Sequence, residues 1–185
     1  MLSMTSMPRY LLVACLVAGV AVPACKTSSE TPELERFQPA LEKDPTIAAD
    51  PNVKSCVAGD RKACAAAADA LARGNITGKE EPEARVGVYA AGCRASDQKL
   101  CGELANALLH GYGASVDGQL AFRLLVRSCD ANEPVSCALL GRLYQDGAGG
   151  VPVDEDKAKA TWEKGCALHD RVSCSRLERL RRHDR

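Results

Sequence analysis

Small and apolar residues recur at helical spacing after residue 60. Counted from Cys64, Cys101 and Cys137, they occupy the third, fourth and seventh positions, and a glycine stands at the tenth. At 100° per residue, the first three positions share one side of a helix with the cysteine. The pattern predicts a helix, called helix A, that packs by this side and ends at the glycine. The residues are Ala67, Ala68, Leu71 and Gly74, then Leu104, Ala105, Leu108 and Gly111, then Leu140, Gly141, Tyr144 and Gly147.

A second helix, called helix B, is predicted in each unit after a loop that contains further glycines. Each helix B carries one large apolar side chain four residues before the next cysteine, as expected of a helix that packs on helix A. The predicted starts are near Pro82, Asp117 and Asp154, and the large side chains are Tyr89, Leu125 and Trp162. Each unit is therefore predicted to be an αα-hairpin.

Eight of the ten cysteines form four pairs with seven residues between the two members. The pairs begin at positions 56, 93, 129 and 166, which are 37, 36 and 37 residues apart. A fixed period of this length is typical of a solenoid, in which each repeat packs only on its neighbours. The sequence therefore predicts an all-α fold, a solenoid of αα-hairpin repeats.

The repeat favours a disulfide from each first cysteine to the cysteine eight residues later. Residues eight apart in one helix lie roughly 12 Å apart along its axis, whereas a disulfide needs Cα atoms about 4.4–6.8 Å apart. Each pair must therefore enclose a turn, and the acid between its members is a predicted helix N-cap. A zinc site is the competing use of clustered cysteines, but its ligands usually stand two to four residues apart. The expected bonds are Cys56–Cys64, Cys93–Cys101, Cys129–Cys137 and Cys166–Cys174, and the acids are Asp60, Asp97, Glu133 and Asp170.

The first 24 residues are predicted to be a signal peptide. One basic residue, Arg9, precedes an apolar run over 10–24, which is shorter than the about 20 residues that span a membrane. The run ends in Val22-Pro23-Ala24-Cys25, which resembles a bacterial lipobox, so Cys25 is the predicted lipidation site. Cys15 also ends a lipobox-like stretch, but too few apolar residues precede it. An ordinary cleaved signal with an incidental cysteine is the alternative.

The remainder of the chain divides into two parts. Residues 25–50 are rich in Thr, Ser, Pro and Glu and are predicted to be a flexible, lipid-attached tether, with at most a short helix over 33–43. Residues 51–185 are predicted to form the solenoid, capped by a polar C-terminal helix that solenoids need. Within it, the repeats lie at about 64–93, 101–129 and 137–166, and the capping helix lies at 171–183.

The composition limits the kinds of partner that the chain is expected to bind. Lys and Arg total 24, as do Asp and Glu, so no strongly basic surface for nucleic acid is predicted. Aromatic residues make up 4% of the chain, so a core of Ala, Leu and Val is expected. Export from the cytoplasm permits disulfides, each of which would stabilise the fold by roughly 2–3 kcal/mol in the chain-entropy model.

The third unit, residues 138–170, resembles the Sel1-like repeat, a relative of the tetratricopeptide repeat. The motif residues are Leu140, Gly141, Tyr144, Gly147, Asp154, Lys157, Ala158, Trp162 and Lys164. The resemblance extends over about 53–182 and is weakest in the first unit, where Arg85 replaces a small helix-B residue. The paired cysteines further resemble the cysteine-rich, secreted Hcp-type branch, in which each pair is a disulfide between helices.

The Hcp-type resemblance implies a β-lactam-binding or β-lactam-hydrolysing enzyme as the alternative function. Ser96-Asp97-Gln98-Lys99 spells the S-x-x-K nucleophile motif of serine β-lactamases, but it lies in a corner and no S-D-N or K-T-G element accompanies it. The chain has three histidines and no H-E-x-x-H, and paired cysteines leave no thiol nucleophile. The sequence therefore predicts no catalytic residue, no metal and no cofactor.

Binding is the other use of a solenoid. Positions two, five and nine of helix A lie opposite the packed side, and in tetratricopeptide relatives this side lines a concave groove. There Asn106 would hold a peptide backbone, and Arg142 and Arg179 would hold a carboxylate. A solvated surface is the alternative interpretation. The candidate binding residues are Asp69, Arg73, Glu103, Asn106, His110, Arg142, Asp146 and Arg179.

Together these expectations describe an exported repeat scaffold in the bacterial cell envelope, facing the periplasm or the cell exterior. Its expected partner is an envelope protein or peptide. Its expected contact with the membrane is the lipid anchor alone, and no nucleic acid is expected to bind.

Overall fold

A computed structural model describes residues 31–183, in which the chain forms helices and no strand. The predicted signal peptide and the cysteines at positions 15 and 25 lie outside the described residues. The helices before the first repeat are α1 (Thr31–Glu35), α2 (Pro39–Glu42), α3 (Pro45–Ala49) and α4 (Pro51–Val57). The others are α5 (Arg61–Ala72), α6 (Pro82–Arg94), α7 (Gln98–His110), α8 (Gly118–Asp130), α9 (Pro134–Asp146), α10 (Glu155–Ala167) and α11 (Arg171–His183).

The described helices form the predicted all-α solenoid. The pairs α5–α6, α7–α8 and α9–α10 are successive A and B helices, and α11 is a final helix A. Each of these helices packs on the next one along the chain, which is the contact pattern of a solenoid. The predicted fold class is confirmed, including its four disulfides.

The first disulfide closes the corner between α4 and α5, and each of the other three closes a corner between a helix B and the following helix A. The first cysteine ends one helix, the second lies in the first turn of the next, and their Cα atoms are 4.4–4.7 Å apart. The third residue after the first cysteine has a positive φ, which reverses the chain. These residues are Gly59, Ser96, Asn132 and His169.

The corner's backbone and acid satisfy the polar groups at both helix ends. In the second corner, the Asp97 N–H donates to the Gly92 carbonyl over 3.0 Å, the bond of a Schellman motif. The Asp97 carboxylate then accepts from the Leu100 N–H at 3.1 Å and caps α7. Glu133 caps α9 in the same way although Glu is a rare N-cap, accepting from Val135 and Ser136. The predicted N-caps are therefore confirmed.

The contact between helices A and B explains the small residue at the fourth position. On α9 this residue is Gly141, and a Cβ added there would lie 2.4 Å from Nε1 of the Trp162 indole. Trp162 is 1% exposed, and its Nε1–H donates to the Ala138 carbonyl over 3.2 Å. One glycine thus lets a whole indole pack between α9 and α10 with its only polar group bonded.

The prediction of a flexible tether over residues 25–50 is wrong for residues 31–50, here called the N-terminal segment. Leu34, Leu41 and Ile47 are at most 2% exposed, because α1 and α2 pack on α6 and α3 packs on α2 and α4. The approach is close: a Cβ added to Gly87 would lie 2.8 Å from Leu41 Cγ. Burying three large apolar side chains stabilises this arrangement, since each contributes about 1.5–3 kcal/mol.

Polar contacts also join the N-terminal segment to the B helices. Arg36 forms an ion pair with Asp117, the N-cap of α8, at 2.7 Å. Arg123 of α8 forms another with Glu33, also at 2.7 Å. The N-terminal segment therefore covers the B-helix side of the first two repeats.

Arg85, which makes the first repeat unlike the others, has a partner outside its own helix. Its guanidinium lies 4.8 Å from the ring centroid of Tyr112, in the loop after α7. The Tyr112 hydroxyl donates to Glu80 at 2.8 Å, and this bond raises the pKa of the hydroxyl. The guanidinium therefore stacks on a ring that the hydrogen bond to Glu80 holds in place.

Candidate functional site

The structure places the eight candidate binding residues on α5, α7, α9 and α11. We call these residues the A-helix face: Asp69, Arg73, Glu103, Asn106, His110, Arg142, Asp146 and Arg179. None of them is buried, whereas the opposite side of each helix supplies the core. The helical wheel therefore separated exposed from packed positions correctly.

His110 joins α7 to α9 on this face. Its Nδ1 lies 2.8 Å from the Asn106 carbonyl oxygen, and its Nε2 lies 3.4 Å from an Arg142 amino nitrogen. Since the guanidinium can only donate, Nε2 accepts, and Nδ1–H donates to the carbonyl. The imidazole therefore links α7 to α9 and lies against the guanidinium of Arg142.

Further contacts extend the connection toward α11. Arg142 Nε lies 3.9 Å from the Asp146 carboxylate, so acid and histidine hold the guanidinium from two sides. Arg176 donates to the Gln145 side chain at 3.3 Å, which joins α11 to α9. The face over α7, α9 and α11 is therefore one connected polar surface.

Glu103 and Asn106 lie beside a small cavity between α7 and α9. Its volume is about 50 Å³, and Leu139 and Val135 of α9 supply apolar lining. Lys99 lines it too, one helical turn before Glu103. Sequence reasoning missed Lys99 and Val135, since they lie outside the positions chosen for the face.

The remaining helix of the face, α5, carries only a local pair. Arg73 forms an ion pair with Asp69 one turn away on the same helix. No hydrogen bond or ion pair joins these two side chains to α7 within residues 31–183. The A-helix face is therefore continuous over three helices, and its α5 part stands alone.

A larger cavity, about 530 Å³, lies on the opposite side, between the N-terminal segment and the loop before α8. Its charged groups are already paired: Arg36 with Asp117, and Lys43 with Glu83 at 2.5 Å. Sequence reasoning missed this cavity because it assigned residues 25–50 to a tether.

The structure places the S-x-x-K residues on a corner and not in a cleft. Ser96 is the positive-φ residue of the second corner, and Lys99 is exposed on the first turn of α7. Across residues 31–183, no group of three or more His, Cys, Asp or Glu side chains could hold a metal ion. In the same part of the chain, no helix has the length and apolar character needed to cross a membrane.

Two stretches match a known repeat family. Residues 101–133 and 134–170 match the Sel1 repeat. These stretches contain α7–α8 and α9–α10, so the second and third repeats match and the first, with Arg85, does not. Sel1 repeats generally serve as scaffolds for protein interactions. A comparison with curated protein sequences gave no match.

Solved structures share the fold. A Sel1 repeat protein from Oxalobacter formigenes is 24% identical, with a TM-score of 0.58 over 69% of this chain and 94% of that one. Helicobacter pylori cysteine-rich protein B is 20% identical, with a TM-score of 0.52 over 78% and 96%. A protective antigen of uropathogenic Escherichia coli with an SLR fold is 18% identical, with a TM-score of 0.64 over 81% of this chain and 32% of that one. At these identities the likeness concerns the fold.

Proposed function

We propose that this chain is an exported, lipid-anchored repeat scaffold that binds a protein or peptide of the bacterial cell envelope on its A-helix face. The observation that carries the proposal is the connected polar surface over α7, α9 and α11. The N-terminal segment covers B helices and leaves this surface open. Sel1 repeats generally act as scaffolds for protein binding, and the match to this repeat supports the same assignment.

The side chains of the face fit an extended polypeptide. Asn106 offers an amide that can both donate to and accept from a peptide backbone. Arg142 presents a planar donor fork whose orientation is already set by His110 and Asp146, so little side-chain entropy is lost on binding a carboxylate. Arg179 supplies a second exposed guanidinium on α11.

The anchor is proposed at Cys25, and it would hold the fold close to a membrane. The described helices begin at Thr31, six residues later. Six extended residues reach about 20 Å, which is less than a tether of residues 25–50 would allow. The face would therefore sample partners near the membrane surface.

Capture of envelope proteins tests the binding face. Crosslinked pull-downs from envelope extract would use the parent chain, the variant Asn106→Ala with Arg142→Ala, and a control with Lys159→Ala and Glu163→Ala on exposed α10 positions. We expect the first variant to lose partner capture at least tenfold, because a bound ligand shields its polar groups from water, and leaving them unpaired costs more than about 1.4 kcal/mol. Equal capture by all three proteins would refute the assignment of the face.

The anchor has a separate test. Cys25→Ser should release the chain from membranes or leave its signal peptide uncut. If the variant still carries diacylglycerol by mass spectrometry, Cys25 is not the lipidation site and Cys15 becomes the candidate.

A further inference from the structure

The final helix of the solenoid carries an unusual concentration of arginine. Five lie between residues 171 and 182 of α11, and Arg171, Arg179, Arg181 and Arg182 are exposed. At 100° per residue, three of them fall within about 80° of one another around the helix. We call these three the basic face: Arg171, Arg179 and Arg182.

The three arginines of the basic face have no carboxylate partner among the described residues, unlike several arginines elsewhere in the solenoid. Arg36, Arg73 and Arg123 each lie within ion-pair distance of an Asp or Glu on a described residue. Among the described residues, no carboxylate lies within that distance of the basic face. Arg182 instead donates to the backbone carbonyl of Glu178, the single acid on α11.

The apolar side of α11 is already used inside the protein. Ser173 and Leu177 are buried against the preceding helices, and Leu180 packs on the cluster around Trp162. The exposed side therefore has charge but no apolar stripe with which to enter a bilayer. Val172 is the one large apolar side chain exposed on this helix, at 55%.

We infer that the basic face binds the phosphates of anionic phospholipid headgroups, as a second contact with the membrane besides the lipid anchor. Guanidinium groups are suited to phosphate because they donate two parallel hydrogen bonds and stay charged. A flat, negatively charged surface complements three guanidiniums on one side of a rigid helix. Because no apolar group inserts, the contact is superficial and depends on salt.

The short reach from the proposed anchor favours a lipid partner over an acidic peptide. With Thr31 held within about 20 Å of the membrane, α11 meets headgroups at a higher local concentration than it would in a chain free in solution. A contact too weak to recruit the chain from solution then suffices to orient it. Its effect would be to fix which side of the solenoid the membrane faces.

Vesicle flotation tests the inference on the chain from residue 26 onward, which retains every described helix and disulfide. Vesicles of phosphatidylcholine alone are compared with vesicles that contain phosphatidylglycerol, at low and at 0.5 M salt. We expect binding to the anionic vesicles only, and its loss at high salt. Each basic residue near an anionic surface strengthens membrane binding about fivefold. The triple variant Arg171→Gln, Arg179→Gln and Arg182→Gln should therefore bind anionic vesicles more weakly, on the order of 100-fold.

Two matched variants separate the basic face from net charge and from misfolding. Lys54→Gln, Arg61→Gln and Lys62→Gln remove the same charge from exposed positions on α4 and α5 and should weaken binding far less. Replacing the three arginines of the basic face by lysine should retain most of the binding. Circular dichroism and the melting temperature verify that each variant is folded.

Three outcomes would overturn the inference. The first is equal binding to neutral and anionic vesicles, and the second is equal loss in both glutamine triple variants. The third is no binding of the parent chain to anionic vesicles at low salt, whatever the pull-downs show. The Asn106→Ala and Arg142→Ala variant should bind vesicles normally, so failure of the proposed function is distinguishable.

Discussion

Helices α6 and α10 occupy the same place in the first and third repeats, and each has thirteen residues. Yet α6 buries eight of them, whereas α10 buries Ala158, Trp162 and Gly165. The difference follows from what covers the outer side. The N-terminal segment packs on α6, and α10 has no such cover among the described residues.

The two helices therefore reach stability by different means. Because α6 is buried on two sides, small residues occupy its contact positions, and Gly87 leaves room for Leu41 to pack closely. In α10, Ala160 occupies the position of Gly87 and is exposed, and the packing depends on the single indole of Trp162. A repeat with an irregular sequence can therefore be well packed when neighbouring segments cover it on both sides.

The largest expected effect is at Trp162. Trp162→Ala should lower the free energy of unfolding by about 3–5 kcal/mol, since it empties a space that Gly141 keeps open for the ring. Tyr89→Ala, at the same position of the first repeat, should cost less than half as much, because Tyr89 is only partly buried. Urea denaturation measures both, and equal losses would contradict the comparison.

Reduction of the disulfides provides the second test. Cys166 and Cys174 are partly exposed, whereas the other six paired cysteines are at most 3% exposed. A limiting dithiol should therefore open Cys166–Cys174 first, as seen by alkylation and peptide mapping. Replacing both cysteines by serine should cost roughly 2–3 kcal/mol, the chain entropy of a loop this short. If the four disulfides were reduced in random order, the access of the dithiol to them would not differ along the solenoid.

Leucine at equivalent positions provides the third test. Gly87→Leu should destabilise the protein by about 2 kcal/mol, because its side chain would overlap Leu41 and the Phe37 carbonyl. Ala160→Leu should change the stability by less than about 0.5 kcal/mol, because that position faces solvent. If both substitutions were neutral, the N-terminal segment would not be packed on α6.

The smallest expected effect concerns the N-caps of α8 and α10. The hydrogen bond from the Leu120 N–H lowers the pKa of Asp117, and Arg36 lowers it further. In the same way, the hydrogen bond from the Lys157 N–H lowers the pKa of Asp154. A lowered folded pKa gives stability that is present above the ordinary value near 3.8 and is lost as the pH falls through the folded value. Arg36→Gln should cost about 0.5 kcal/mol at pH 7, because both partners are solvent-screened.

That cost should decrease in urea denaturation as the pH is lowered from 3.8 through the folded pKa of Asp117 and the carboxylate becomes protonated. Lys157→Gln is the matched control, since it acts on the cap of α10 without touching the N-terminal segment. A pH-independent loss in Arg36→Gln would mean that the arginine acts through packing on Phe37 and not through Asp117.

The repeats could be predicted because their signals are local and periodic. The cysteine spacing, the glycine at the tenth position and the acid in each corner all follow from backbone geometry. The positive φ of Ser96 could not be predicted, since serine does not favour that conformation. Only the first corner has a glycine there, Gly59.

The N-terminal segment was missed because its composition was weighed above its pattern. Pro45 and Pro51 each begin a helix directly after an aspartate that caps it, which is a start signal rather than a linker signal. Leu34 and Leu41 stand seven residues apart, which is two helical turns. The contact of His110 with Arg142 was beyond sequence reasoning, because it depends on how neighbouring repeats are rotated.

Every corner is complete within nine consecutive residues, which supply its disulfide, its reversing residue and its cap. A piece of chain from one cysteine to its counterpart in the next repeat thus begins and ends in the same local geometry. Duplicating or deleting such a piece would rejoin matching ends without disturbing either neighbour. Copy number, and with it the length of surface offered to a partner, can therefore change by whole units while the rules of assembly stay the same.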